Sequence, residues 1–233
     1  MSRSRNNAKP NAPESDAPHQ CRLYLVTPPQ FELEKFAGDL NAAFDGGDVA
    51  VVQLRLKDAS DDAVKRAIER LMPIAHRYDV AFLVNDRPDI AAEMGCDGAH
   101  IGQDDMKYAA ARAVLGPDKI IGVTCHDSRH LAIEAAEQGA DYVAFGAFYP
   151  TTAKIAKGKP APDLLTWWSQ FMTVPVVAIG GIFPHNVAPL VQAGADFVAV
   201  ISAVFYAESG PATAVKSLNA AIVDAKQSFN DDL

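Results

Sequence analysis

The tripeptides Gly95-Cys96-Asp97, Gly139-Ala140-Asp141 and Gly194-Ala195-Asp196 stand at matching places along the chain, and Gly47-Asp48-Val49 is a looser fourth copy. Each closes a segment of helical spacing and opens a short apolar run. Glycine just past a helix takes the left-handed conformation that ends it. The runs that follow are β-branched and apolar on both faces, as strands buried in a parallel sheet must be. Eight such runs can be traced, at 23–26, 49–56, 81–84, 98–101, 120–123, 142–145, 176–179 and 197–201, and the last helical segment covers 211–227. Strict alternation of strand and helix predicts an α/β fold, a single closed (β/α)8 TIM barrel, over an open doubly wound sheet.

The 233 residues suit one such barrel, typically about 250 residues long. A 49% hydrophobic and 21% charged composition predicts a globular core. Net charge of −8 argues against nucleic acid or an anionic membrane as the main partner. No segment approaches the ~20 apolar residues that span a bilayer. Residues 1–20, rich in Asn, Pro and Ser, read as a disordered tail without a signal peptide, 21–228 as the catalytic barrel and 229–233 as a short tail. Cys21, Cys96 and Cys125 form no CxxC pair, so reduced thiols and a cytoplasmic location are expected. Cys125 reads as a small apolar filler.

In a barrel of this kind, function collects on the loops after the strands. The stretch 82–105 reads strand, helix, strand, which brings Asp86 and Asp104 or Asp105 to one edge of the sheet. Carboxylates that close repel unless a cation lies between them, and paired hard oxygens suit Mg2+ with a diphosphate. The alternative is that Asp86 and Asp105 cap the helices that follow, with Pro88 in the first turn. Gln53, Arg55 and Lys57 alternate and so share one face of the second strand. Polar groups inside a barrel are costly unless they bind something. Gly180 and Gly181, with the end of the eighth strand at Ser202, match the recurring phosphate cradle of these barrels. The loop from 146 to 162, which holds Lys154, Lys157 and Lys159, is long enough to be a binding loop. His126 invites either a general-base or a structural reading; His100 and His185 read as structural.

Together, QLRLK at 53–57, ND at 85–86, GQDD at 102–105, PTTAK at 150–154, AIGGI at 178–182 and VIS at 200–202 resemble the thiamine-phosphate synthase (thiamin-phosphate pyrophosphorylase) family, over roughly 22–227. The resemblance implies a transferase that joins hydroxymethylpyrimidine diphosphate to hydroxyethylthiazole phosphate and releases pyrophosphate. It implies that Gln53, Arg55, Lys57, Asn85, Thr124 and Lys154 bind the pyrimidine diphosphate, with Leu54 and Leu56 in the same motif. Asp86 and Asp105 would hold Mg2+. Thr151, Thr152, Ala153, Gly181, Ile201 and Ser202 would bind the thiazole phosphate. Arg55, Lys57 and Lys154 would stabilise the departing diphosphate, and no general base is required. The chain departs from the family pattern at Thr124, where Ser is usual, and at Ala153, where a second Thr is usual. Alternatives on the same barrel are a thiazole tautomerase-like isomerase using His126, or a non-catalytic phosphate-ligand sensor. The implied partners are small phosphorylated molecules, and a homo-oligomer is left open.

Overall fold

The eight apolar runs pair edge to edge in chain order and close on themselves, every pair parallel. A computed structural model describes residues 21–151 and 158–231; the tail read at 1–20, residues 152–157 and residues 232–233 lie outside it. The strands are β1 (Arg22–Val26), β2 (Val49–Leu54), β3 (Ala81–Asn85), β4 (Gly98–Ile101), β5 (Ile120–His126), β6 (Tyr142–Gly146), β7 (Val176–Ile179) and β8 (Phe197–Val200). The helices are α1 (Leu33–Asp45), α2 (Asp61–Arg77), α3 (Pro88–Glu93), α4 (Tyr108–Leu115), α5 (Arg129–Gln138), α6 (Asp163–Phe171), α7 (Ala188–Gln192), α8 (Ser202–Phe205) and α9 (Pro211–Asp231). The fold is a (β/α)8 TIM barrel. No helix among the described residues is long and apolar enough to cross a membrane.

Strand alternation sorts the side chains into two cores. Outward residues such as Leu25, Val52, Phe82, Val84 and Phe145 pack beneath the helices with Leu40, Ile68 and Trp168. Inward residues fill the lumen: Tyr24, Val26, Leu83, Tyr142, Ala144, Val177 and Ala199. Gly122 faces Tyr142 across the β5–β6 ladder, and a Cβ at Gly122 would collide with the Tyr142 ring. The missing side chain is what lets that ring lie over β5 and reach β4.

The repeated tripeptides explain how the lower rim is fastened. Gly95, Gly139 and Gly194 hold positive φ (70°, 97° and 95°) just past their helices. The aspartate two places on then accepts a main-chain N–H from the preceding strand. Asp97 takes that of Phe82 at 2.7 Å, Asp141 that of Ile121 at 2.8 Å, and Asp196 that of Val176 at 2.7 Å. Asp48 fastens β1 to β2 through a two-pronged pair with Arg22, at 2.7 and 2.6 Å. Each even-numbered strand is thus tied to the odd one before it. Truncating such an acceptor leaves a donor unmet, a loss of about 1–3 kcal/mol where the donor is buried.

Candidate functional site

The C-terminal mouth of the barrel opens into a cavity of about 500 Å³. Of the residues expected at the site, Gln53, Arg55, Asn85, Thr124, Thr151, Gly181, Ile201 and Ser202 line it, and His126 joins them. Small inward residues, Ala144, Gly146 and Ala199, leave the room it occupies. Thr152, Ala153 and Lys154 lie outside the described residues.

Arg55 follows directly on β2. Its main-chain N–H donates to the hydroxyl of fully buried Thr27 at 2.9 Å, which sets where the side chain departs. Burial holds the guanidinium pKa below its ordinary value, and the charge of Asp86 opposes that fall. Nη1 is buried and has no hydrogen-bond partner among the described residues. A buried cationic N–H without an acceptor is costly, and an anion entering the cavity would relieve the cost.

The expected stripe of Gln53, Arg55 and Lys57 is cut short. β2 ends at Leu54 rather than 56, and Asp58 takes a left-handed φ of 54°. The backbone turns away, its Lys57 N–H donating to the carbonyl of Pro29 at 3.0 Å. Lys57 is exposed and lines a separate small cleft with Phe31, Leu56 and Arg66. Leu54 points outward into the helix-facing core. Of the five residues in this motif, Gln53 and Arg55 are the ones that reach the mouth.

Asp86 and Asp105 follow the C-terminal ends of β3 and β4, which are parallel neighbours. Neither stands at the N-cap of the helix that follows. The N-cap positions of α3 and α4 are Arg87 and Lys107, and neither position makes a side-chain capping bond. Asp86 instead takes a left-handed φ of 61° and donates its N–H to the carbonyl of His100 at 2.8 Å. The Asp105 carboxylate folds back to accept the Gly102 N–H at 2.9 Å. His126 also holds positive φ, 55°. Conformations of this kind cluster where a site over-determines them.

Beneath the rim lies a line of hydrogen bonds that the sequence reading did not anticipate. The Asp86 carboxylate accepts from Asn85 Nδ2, and Asn85 Oδ1 accepts from Gln53 Nε2. Gln53 Oε1 accepts from the Tyr24 hydroxyl at 2.8 Å. The Tyr24 and Tyr142 hydroxyls are 2.8 Å apart, and Tyr142 lies 2.9 Å from His100 Nδ1. His100 Nε2 is 2.7 Å from Thr124 Oγ1. Burial pushes both phenol pKa values up, so each hydroxyl keeps its proton. The available signal was modest: tyrosines at inward positions of β1 and β6, with Gly122 on the strand between Tyr142 and His100.

On the far side of the mouth, β7 is followed by Gly180 and Gly181, with φ of 107° and 63°. A Cβ on Gly181 would collide with the carbonyl of Pro150, so only glycine allows the two loops to approach this closely. Asn186 fastens the turn, donating to the carbonyl of Gly181 at 2.9 Å and accepting the Phe183 N–H at 2.8 Å. The chain leaves β8 through Ile201 directly into α8, a short extra helix that the periodicity did not reveal. Loops after strands seven and eight with such a helix form the usual phosphate site of this architecture.

Comparison with known proteins agrees with this geometry. The family model described as "Thiamine monophosphate synthase" matches residues 23–204. A thiamine-phosphate synthase from Rhodospirillum centenum is 59% identical over 199 residues, 85% of this chain and 96% of that one. One from Hyphomonas neptunium is 49% identical over 206 residues, 86% of this chain and 93% of that one. Among solved structures, a thiamine phosphate pyrophosphorylase from Pyrococcus furiosus superposes with a TM-score of 0.76 at 32% identity, covering 88% of this chain and 96% of that one. Barrel, glycine-lined mouth and matched sequence meet in one conclusion: the chain belongs to the thiamine monophosphate synthase family.

Proposed function

We propose that the barrel-mouth cavity joins 4-amino-5-hydroxymethyl-2-methylpyrimidine diphosphate to 4-methyl-5-(2-hydroxyethyl)thiazole phosphate, giving thiamine phosphate and pyrophosphate. The observation that carries this reading is Arg55 Nη1, a buried guanidinium nitrogen without an acceptor among the described residues, beside a cavity of about 500 Å³. Arg55 and Asn85 on one side and Gly181 and Ser202 on the other give that cavity two ends, as two phosphorylated substrates require; Asp86 and Asp105 stand at the rim beside the first end, outside the cavity lining. Gln53, Asn85 and Thr124 hold the pyrimidine. Thr151, Gly181, Ile201 and Ser202 hold the thiazole phosphate, and Thr152 and Ala153 complete that loop. Arg55 takes up negative charge as the carbon–oxygen bond breaks with its electron pair on the diphosphate, and Lys154 is its partner in that role. The lone pair of the thiazole nitrogen then forms the new carbon–nitrogen bond. That nitrogen carries no proton, so the chain needs no general base; its task is alignment and charge stabilisation.

Asp86 and Asp105, just past the ends of neighbouring strands, are the carboxylates that would hold Mg2+. Among the described residues no group of three or more His, Cys, Asp or Glu could hold a metal. An ion held by Asp86 and Asp105 would therefore complete its shell with water and phosphate oxygens, the habit of Mg2+. Bound there, Mg2+ would neutralise charge developing on the departing diphosphate. Partners are then small phosphorylated molecules rather than nucleic acid, in keeping with a net charge of −8. A cytoplasmic location is in keeping with three cysteines that are buried and form no disulfide.

The test supplies both substrates with and without Mg2+ and follows pyrophosphate. Release is expected only with the two substrates and the metal together. Absence of thiamine phosphate under those conditions would overturn the reading; turnover that survives EDTA would remove Mg2+ from it.

A further inference from the structure

The hydrogen bonds on the cavity floor can be given a direction, because one end is anchored. An ionised carboxylate only accepts. The Asn85 atom facing Asp86 is therefore Nδ2, which leaves Oδ1 to accept from Gln53 Nε2. Gln53 Oε1 then faces Tyr24 and takes its hydroxyl hydrogen. With that hydrogen spent, the 2.8 Å contact between the two tyrosines requires Tyr142 to donate. Tyr142, its own hydrogen spent, must accept from His100 Nδ1–H. In the neutral ring Nε2 is then bare and accepts from Thr124. Every bond runs the same way, from Thr124 to Asp86.

We infer that Tyr24, Tyr142 and His100 are positioning residues: their one-way chain fixes which atoms of Gln53, Asn85 and Thr124 face the bound pyrimidine. The identity of that ligand rests on the function proposed above. Thr124, having given its hydrogen to His100, turns only lone pairs toward the cavity. Gln53 and Asn85 each keep one amide hydrogen not used in the chain. The lining thus reads as acceptor at Thr124 and donor at Gln53 and Asn85. A ring that carries an amino group beside an unprotonated nitrogen complements that pattern. Its oxo analogue, which exchanges the amino donor for an acceptor, opposes it. The selectivity does not reside in Thr124 alone, since a hydroxyl can turn either way; it is imposed from across the lumen. Gly122 belongs to the same device, because only its missing Cβ lets the Tyr142 ring reach His100.

Two measurements test this. The first needs no substrate: ring-nitrogen NMR of protein labelled with 15N-histidine, the His100 signal identified by its loss in His100→Gln. Wild type should show the neutral Nδ1–H tautomer, which is the minor form of histidine in water. Tyr142→Phe removes the acceptor of that hydrogen. Tyr24→Phe frees the Tyr142 hydroxyl to donate to Nδ1 instead. Both variants should switch His100 to Nε2–H, and Tyr24→Phe carries the test alone if the other does not fold. Nε2–H or a doubly protonated ring in wild type would overturn the chain. The second measurement compares kcat/KM for the amino pyrimidine diphosphate and its 4-oxo analogue. Wild type should prefer the amino ring by about 10²-fold or more, and either Phe variant should shrink that preference by at least about tenfold. An unchanged ratio in a folded variant would overturn the inference. If wild type makes no thiamine phosphate at all, the proposed function falls, while the tautomer result still decides the direction of the chain.

Discussion

At the lower rim, Asp97, Asp141 and Asp196 each accept a main-chain N–H from the start of a neighbouring strand, and Asp48 is locked to Arg22. At the upper rim, Asp86 sits in a left-handed turn, Asp105 folds back on its own loop, and Arg55 keeps a buried nitrogen without an acceptor among the described residues. The same residue type does two jobs on one sheet, and the strand direction separates them. Where the backbone can satisfy the acid, the acid fastens the barrel. Where the strand has ended and the backbone turns away, Asp86 is left to organise polar groups around a cavity, Asn85 first among them. A strong interaction at the first rim adds stability; at the second, polar groups are held ready for a ligand.

Substitutions that exchange these jobs should separate rate from stability. Asp86→Ala is expected to lower turnover by on the order of 10²–10³-fold, as loss of a charge-stabilising group does. Its melting temperature should stay near that of wild type. A calorimetric scan beside a pyrophosphate assay checks this, and a collapsed fold with normal activity per folded molecule would erase the contrast. Asp141→Ala should do the reverse. It strips the Ile121 N–H of its acceptor and Arg112 of its carboxylate partner. A loss of about 1–3 kcal/mol is expected, which lowers the melting temperature by roughly 2–4 °C per kcal/mol in a chain this long. Its kcat should be unchanged at temperatures where it is folded. Lys57→Ala gives the finest discrimination, because Lys57 sits at the upper rim yet off the cavity. A fall in kcat/KM within about tenfold is expected, the worth of roughly one modest interaction. A loss as large as that of Asp86→Ala would show that Lys57 swings into the mouth when substrate binds.

What could be read in advance follows the same division. The barrel was legible because β-branched runs and left-handed glycine stops are local signals. The mouth was largely legible because topology sends every post-strand residue to one rim. The end of β2 was not: Leu54-Arg55-Leu56-Lys57 keeps its alternation after the backbone has turned, and periodicity cannot see a turn that leaves the pattern intact. The floor of the cavity was hidden for another reason. Its bonds join residues 29, 42 and 118 positions apart, so no window on the sequence contains both partners. The acid of each Gly-x-Asp repeat was visible as a pattern, but its main-chain partner lies 15 or 20 residues earlier.

Those short spans bear on the order in which the molecule is assembled. Ties that close loops of 15 to 26 residues cost little chain entropy, so each odd–even strand pair can form while the rest of the chain is still open. The seam between β8 and β1 joins opposite ends of the chain and must wait. Pulse-labelled hydrogen exchange during refolding should therefore protect the amides of Phe82, Ile121 and Val176 before that of Arg22, which closes the seam on Asp196. Simultaneous protection of all four would mean that the cylinder forms in one step rather than by quarters.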